Sequence, residues 1–240
     1  MALTEKLTAI ADSIRSKTGG TATLTLDEMP SAIEGIQTGG GGSVGTVLSL
    51  TAIPEGIITL GKQVFFENPY IAFSSLPSTL TSVGDHTFDS CTSLALKSLP
   101  SGLTIIGEYA FRGCSKIALT SLPSGVAAIR KNAFESCTNL ALTSLPEKLV
   151  AVNNYGFYCC NALALTSLPS SITNIGDSAF GRCIGLSSIT FEGKPNTISS
   201  SAFSGCTNLK TINVPWAEGA VANAPWGATN ATINYNYTGE

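Results

Sequence analysis

Residues Ser98–Thr120 read SLPSGLTIIGEYAFRGCSKIALT, and nearly the same sentence is written again before and after them. Pro54, Pro77, Pro100, Pro123, Pro146 and Pro169 recur every 23 residues, and so do Phe65, Phe88, Phe111, Phe134, Phe157, Phe180 and Phe203. Cys91, Cys114, Cys137, Cys160, Cys183 and Cys206 keep the same step. Three unrelated residue types do not share one period by composition. The chain is therefore a repeat protein, and units of this length stack into one elongated body.

The period sorts the remaining residues into columns. Leu76, Leu99, Leu122, Leu145 and Leu168 form one; Leu80, Leu103, Val126, Leu149 and Ile172 a second; Val83, Ile106, Ile129, Val152 and Ile175 a third; and Leu94, Ile117, Leu140, Leu163, Leu186 and Leu209 a fourth. Stacking puts like on like, so these columns and the Phe and Cys columns are the expected interior. Leu94-Ala95-Leu96 and its copies alternate as a short strand does and end at a Leu-Pro turn. Thr104-Ile105-Ile106 and its copies are a second extended piece. The expected fold class is an α+β repeat solenoid: seven 23-residue coils with short parallel strands over 47–214, preceded by a small helical module at 1–37 and a Gly-rich linker at 38–46, and closed by a cap at 215–240. Gly61, Gly84, Gly107 and Gly176 share a column with Asn153, which suggests a site of positive φ. Arg130 is the exception there, either because its coil turns differently or because a functional residue is tolerated.

Composition narrows the function. The net charge is −3, 12% of residues are charged, and no basic run exceeds Arg130-Lys131. The phosphate-neutralising footprint of a nucleic-acid binder is missing. No apolar run approaches the roughly 20 residues that span a bilayer, so membrane insertion is not expected. The first residues, MALTEKLTAIADSIRSKTGG, contain no secretory h-region, and export by a cleaved signal is not expected either. His86 is the single histidine and there is no C-x-x-C pair, so no catalytic residue, metal or cofactor is expected. The column cysteines are expected to be free thiols, with Cys159, one residue out of column, the first to react.

Both ends carry apolar groups that need burial. Leu3, Leu7, Ile10 and Ile14 fall at helical spacing and Gly19-Gly20 stops that helix; Ile33 and Ile36 lie on a second short helix capped by Asp27. Helices this short are marginal alone. Their stripes are expected to serve attachment or self-association, a simple solenoid cap being the other reading. Trp216, Trp226 and the alternating Ile233, Tyr235 and Tyr237 read as cover for the open end of the stack.

The pattern L-x-L-x-x-L-P-x-x-L-x-x-I-G-x-x-A-F-x-x-C closely resembles the BspA-like leucine-rich repeats. That resemblance implies a curved solenoid used in adhesion and recognition, without chemistry. LTAIADSIRSKTGGTATLTLDEMPSAIEGI, residues 7–36, resembles an N-terminal module of tail and minor structural proteins of phages infecting Gram-positive gut bacteria. VPWAEGAVANAPWGATNATINYNY, residues 214–237, is similar to the tails of phage-encoded repeat proteins. These resemblances imply a phage tail or receptor-binding component in the virion, assembled in the host cytoplasm; a bacterial cell-surface adhesin is the alternative. The partners they imply are a bacterial surface glycan or protein receptor, with other tail proteins, or the chain itself as a homo-oligomer, engaged through the N-terminal module.

A ligand site is expected where solvent-facing columns vary while core columns do not. Two positions after the glycine column stand Gln63, His86, Tyr109, Asn132, Tyr155 and Ser178; just after the Phe column stand Phe66, Asp89, Arg112, Glu135, Tyr158 and Gly181. The candidate ligand-binding residues are His86, Tyr109, Arg112, Arg130, Lys131, Tyr155 and Tyr158, with Tyr109 and Tyr155 as paired sugar platforms.

Overall fold

The computed structural model describes residues 52, 53 and 55–239. Leu3, Leu7, Ile10, Ile14, Ile33 and Ile36, and the expected linker, lie outside the described residues.

Each coil enters by its Leu-Pro corner, where the proline carbonyl accepts the N–H three residues on, as from Leu103 to Pro100 at 3.0 Å. A short extended pair ending in an aliphatic residue then forms a two-residue strand: β1 (Thr59–Leu60), β2 (Ser82–Val83), β3 (Ile105–Ile106), β4 (Ala128–Ile129) and β5 (Ala151–Val152). The same position gives β7 (Asn174–Ile175) and β9 (Thr197–Ile198); on another side of the coils lie β6 (Ser167–Leu168), β8 (Ser188–Phe191), β10 (Thr211–Asn213) and β11 (Thr232–Asn234). All pairings are parallel, in sheets ordered β1-β2-β3, β4-β5-β7-β9 and β11-β10-β8-β6. In every two-residue strand the second side chain is buried and the first faces outward, the period of two that a strand imposes.

Backbone hydrogen bonds tie coil to coil in opposite senses on the two sides. Strand N–H groups donate back to the preceding coil, as Gly84 does to Leu60 at 2.8 Å, whereas Phe-segment N–H groups donate forward, as Phe88 does to Ala110 at 2.8 Å.

The Phe column fills the middle. Phe88, Phe111, Phe134, Phe157, Phe180 and Phe203 are fully buried and stack face to face from Phe65 onward, with centroids 5.2–5.7 Å apart. The Leu, Ile and Val columns surround it in one contiguous core; only Leu99 remains half-buried at its edge. The cysteine column is explained by a bond. Each Sγ–H donates to the carbonyl of the Phe one coil earlier, from Cys91 to Phe65 at 3.0 Å through to Cys206 to Phe180 at 2.9 Å. A small apolar side chain that is also a weak donor adds a second bond to a carbonyl that already accepts the N–H three residues on, as Phe88 does from Cys91 at 3.0 Å.

Four expectations change. Among the described residues nothing is helical, so this part is a parallel β-solenoid rather than α+β, and it has about eight turns instead of seven. Residues 215–239 supply the extra turn: β11 pairs in register with β10, and the fully buried Trp226, which follows Phe203 by 23 residues, closes the end of the aromatic column. The Leu-x-Leu segments of the early coils make one inter-coil bond each, as Ala118 N–H to Leu96 at 3.0 Å, and are not strands. The Leu-Pro corner cuts them short, and where Ser188–Phe191 runs free of it a four-residue strand appears. Finally, the glycine column does not have positive φ. Glycine is required there because a Cβ on Gly107 would stand 2.5 Å from the Gly84 carbonyl carbon, so backbone meets backbone. Where Arg130 replaces that glycine the strand ladder is interrupted, between β3 and β4. The Phe-side bonds continue across the break, as from Phe111 to Ala133 at 2.9 Å.

Candidate functional site

The positive φ sits two residues after the glycine column, on the very residues that vary. Gln63, His86, Tyr109, Asn132, Tyr155 and Ser178 have φ of 48–61°, and Glu67, Ser90, Ser136, Cys159 and Arg182, four residues further on, have 52–63°. A left-handed backbone costs a non-glycine residue free energy, so something must hold it. The holder is the next coil: the Tyr109 N–H donates to Lys131 at 3.0 Å, Asn132 to Asn154 at 3.0 Å and Tyr155 to Asp177 at 2.8 Å. At Ser178 the acceptor changes to the Ser201 hydroxyl, 3.2 Å away. Because the turn is imposed by the stack, its side chains are free to differ, and they project as one ridge.

Along this ridge four successive coils each present one coupled pair at i and i+3. His86 Nδ1 lies 2.8 Å from Asp89 Oδ2; the Arg112 guanidinium is 5.0 Å from the Tyr109 centroid; Asn132 Nδ2 donates to Glu135 at 2.5 Å; Tyr155 meets Tyr158 edge to face at 5.4 Å. The next pair, Ser178 and Gly181, has no bulk, and the Tyr158 ring leans over it: a Cβ on Gly181 would come within 2.8 Å of that ring.

Between coils the first pairs interlock. Asp89 is fully buried and holds Arg112 through Nε at 2.8 Å and a terminal nitrogen at 2.9 Å, while accepting from the Ser90 hydroxyl at 3.1 Å. Its hydrogen bond raises the Arg112 pKa further above the ordinary value. His86 stacks on Tyr109 at 4.5 Å and 7°, with Phe66 edge-on to His86 at 6.0 Å. Lys131 reaches the Tyr109 ring from the following coil at 5.8 Å.

Of the seven candidate residues, His86, Tyr109, Arg112, Lys131, Tyr155 and Tyr158 lie along the ridge, and they are not equivalent. Tyr109 is covered from the coil before by His86 and from the coil after by Lys131, so its expected role as one of two open sugar platforms does not fit its surroundings. Tyr155 is 38% exposed and does fit. Arg130 is exposed beside the strand break, away from the stacked rings. Two residues escaped the sequence reading as site members. Asp89 ties the first cluster together, and its charge complement to Arg112 one period later was the available signal. Arg182 lies 5.8 Å from the Tyr158 centroid and sits in a column that carries small residues from Ser90 to Cys159. Asn132 is 7% exposed and its Oδ1 is buried without a partner.

The thiols near the ridge are poor nucleophiles. Burial pushes Cys91 and Cys206, at the two ends of their column, up to about 11, and the cysteines between them higher. Cys159 is half-buried; its partial burial raises its pKa, opposed by Arg182 and Tyr158.

No curated protein matches the sequence. Among solved structures, a leucine-rich-repeat protein of T. pallidum is 31% identical over 65% of this chain and 72% of that one, with a TM-score of 0.49. A leucine-rich-repeat protein from Bacteroides ovatus is 21% identical over 77% of this chain and 59% of that one, TM-score 0.47. A leucine-rich cell surface protein from Faecalibacterium prausnitzii is 23% identical over 66% of this chain and 59% of that one, TM-score 0.46. The model of the BspA-type leucine-rich-repeat region matches residues 45–141 and 116–218, spanning the Phe, Cys and Leu-Pro columns described above, and the chain therefore belongs to the BspA-type leucine-rich-repeat family.

Proposed function

We propose that this chain is a non-enzymatic recognition and adhesion protein that contacts a bacterial surface, glycan or protein, through the ridge of paired side chains. The observation that carries this reading is the open Tyr155–Tyr158 pair, held on backbone that the stack fixes in one conformation. A rigid scaffold with adaptable outward columns suits recognition, and tyrosine supplies contact area at low entropic cost. The His86–Asp89 pair is spent within the cluster: Asp89 is bonded to Arg112 and to the Ser90 hydroxyl, and the thiol of the same coil, Cys91, is buried and donates to Phe65.

The finer reading is a tail or receptor-binding component of a phage, with Leu3, Leu7, Ile10, Ile14, Ile33 and Ile36 attaching the chain to other tail proteins or to itself. It rests on the sequence resemblance of both ends. The second reading, a bacterial cell-surface adhesin, is favoured by membership of the BspA-type family. Antibody detection decides between them: signal in purified phage particles supports the first, and signal on intact cells with none in particles supports the second. Adsorption of the purified chain to bacterial cells tests the common core of both, and a chain that binds no cells removes it.

A further inference from the structure

The open end of the ridge has the make-up of a sugar-binding shelf. Tyr155 follows the buried Asn132 on one side, and on the other the next member of its column is Ser178, which carries no ring to cover it as His86 covers Tyr109. Beyond the ring the surface drops to hydroxyls. The Ser178 N–H donates to Ser201 Oγ at 3.2 Å, Ser199 Oγ lies 3.1 Å from Ser201 Oγ, and Ser199 donates to Asp177 at 2.5 Å. An aromatic face standing over a floor of hydroxyls and one carboxylate matches a pyranose, whose C–H face is apolar and whose rim is donors and acceptors. Charge here is balanced, with Arg182 over the Tyr158 ring against Asp177 beside Ser199. That favours an uncharged ligand.

We infer that a neutral hexose or N-acetylhexosamine unit stacks on the face of Tyr155 turned toward Ser178, with its hydroxyls on Ser201 and Asp177. This rests on the reading of the ridge as the recognition surface and names the ligand class for it.

The test uses the full chain on an array of neutral hexose and N-acetylhexosamine oligomers beside phosphorylated and carboxylated ones, with bacterial cell adsorption measured in parallel. Saturation-transfer NMR on the best neutral trimer reports whether sugar ring protons lie against an aromatic side chain. Two variants define the shelf. Tyr155→Ala removes the wall, and Ser178→Tyr covers it; tyrosine already occupies this column at φ of 57° and 58° in two coils, close to the 48° of Ser178, so the backbone there accepts it. The expected result is binding to neutral oligomers, weakened tenfold or more by either variant, with thermal unfolding of Ser178→Tyr unchanged or raised. Binding to charged oligomers only, or full binding by a folded Ser178→Tyr, overturns the inference. Cell adsorption without sugar binding overturns it while leaving the recognition reading intact, and loss of both overturns both.

Discussion

The ridge divides at the break between β3 and β4 into two parts built on the same backbone and left in different states. Before the break Phe66, His86, Asp89, Tyr109 and Arg112 use one another up: rings stack, the carboxylate is buried, and Lys131 leans in from the next coil. After it Asn132 keeps an unpartnered oxygen, Tyr155 is exposed, and the pair that follows shrinks to Ser178 and Gly181. Equivalent positions on a repeating scaffold therefore need not share a role. Side chains that satisfy one another stabilise the stack, and those left unsatisfied are the ones able to take a ligand.

The largest expected effect erases the distinction. Phe134 lies in the core where the two parts meet, and Phe134→Ala should cost about 3 to 5 kcal/mol, seen as a lowered urea midpoint for the whole solenoid. A loss under about 1 kcal/mol would mean that neighbouring coils collapse around the gap. Next, Arg112→Ala should cost about 3 kcal/mol, because it strips the principal partner from a carboxylate with no exposure. Arg182→Ala, its counterpart after the break, should stay within about 0.5 kcal/mol while weakening cell binding. Equal stability losses from the two would dissolve the comparison.

A smaller effect concerns glycine. Gly107→Ala should cost about 1 to 3 kcal/mol by forcing backbone away from backbone and widening to that coil the interruption that Arg130 marks; loss of amide protection at Gly107 and its neighbours would report it. The smallest is chemical. At pH 8 a thiol with a pKa near 11 is ionised to roughly one part in a thousand, so alkylation should strike Cys159 first, Cys91 and Cys206 next, and the four between them last. Label on Cys137 before Cys159 would show that the column opens.

The repeat, the identity of the buried columns and the ridge's membership were legible in the spacing of Pro54 to Pro169, Phe65 to Phe203 and Cys91 to Cys206. So was the need to cover the C-terminal end, although the cover proved to be another turn. The glycine column was misread because periodicity tells that a position is restricted without telling why: close backbone approach and left-handed φ both exclude a side chain. The Leu-x-Leu segments are not strands, although they alternate, because alternation names a face while a strand also needs a partner bonded along its length.

What the sequence alone determined is what repeats, since a 23-residue period places each copy against the next and any apolar column must become a continuous core. What only the tertiary structure decided is what differs from coil to coil. Whether Tyr109 or Tyr155 is open depends on side chains one coil away, about 23 residues, on either side: His86 and Lys131 in one case, Asn132 and Ser178 in the other. The bond of Asp89 to Arg112 is likewise made across that interval. Such contacts follow distance and orientation through stacked coils, and a column of letters records neither.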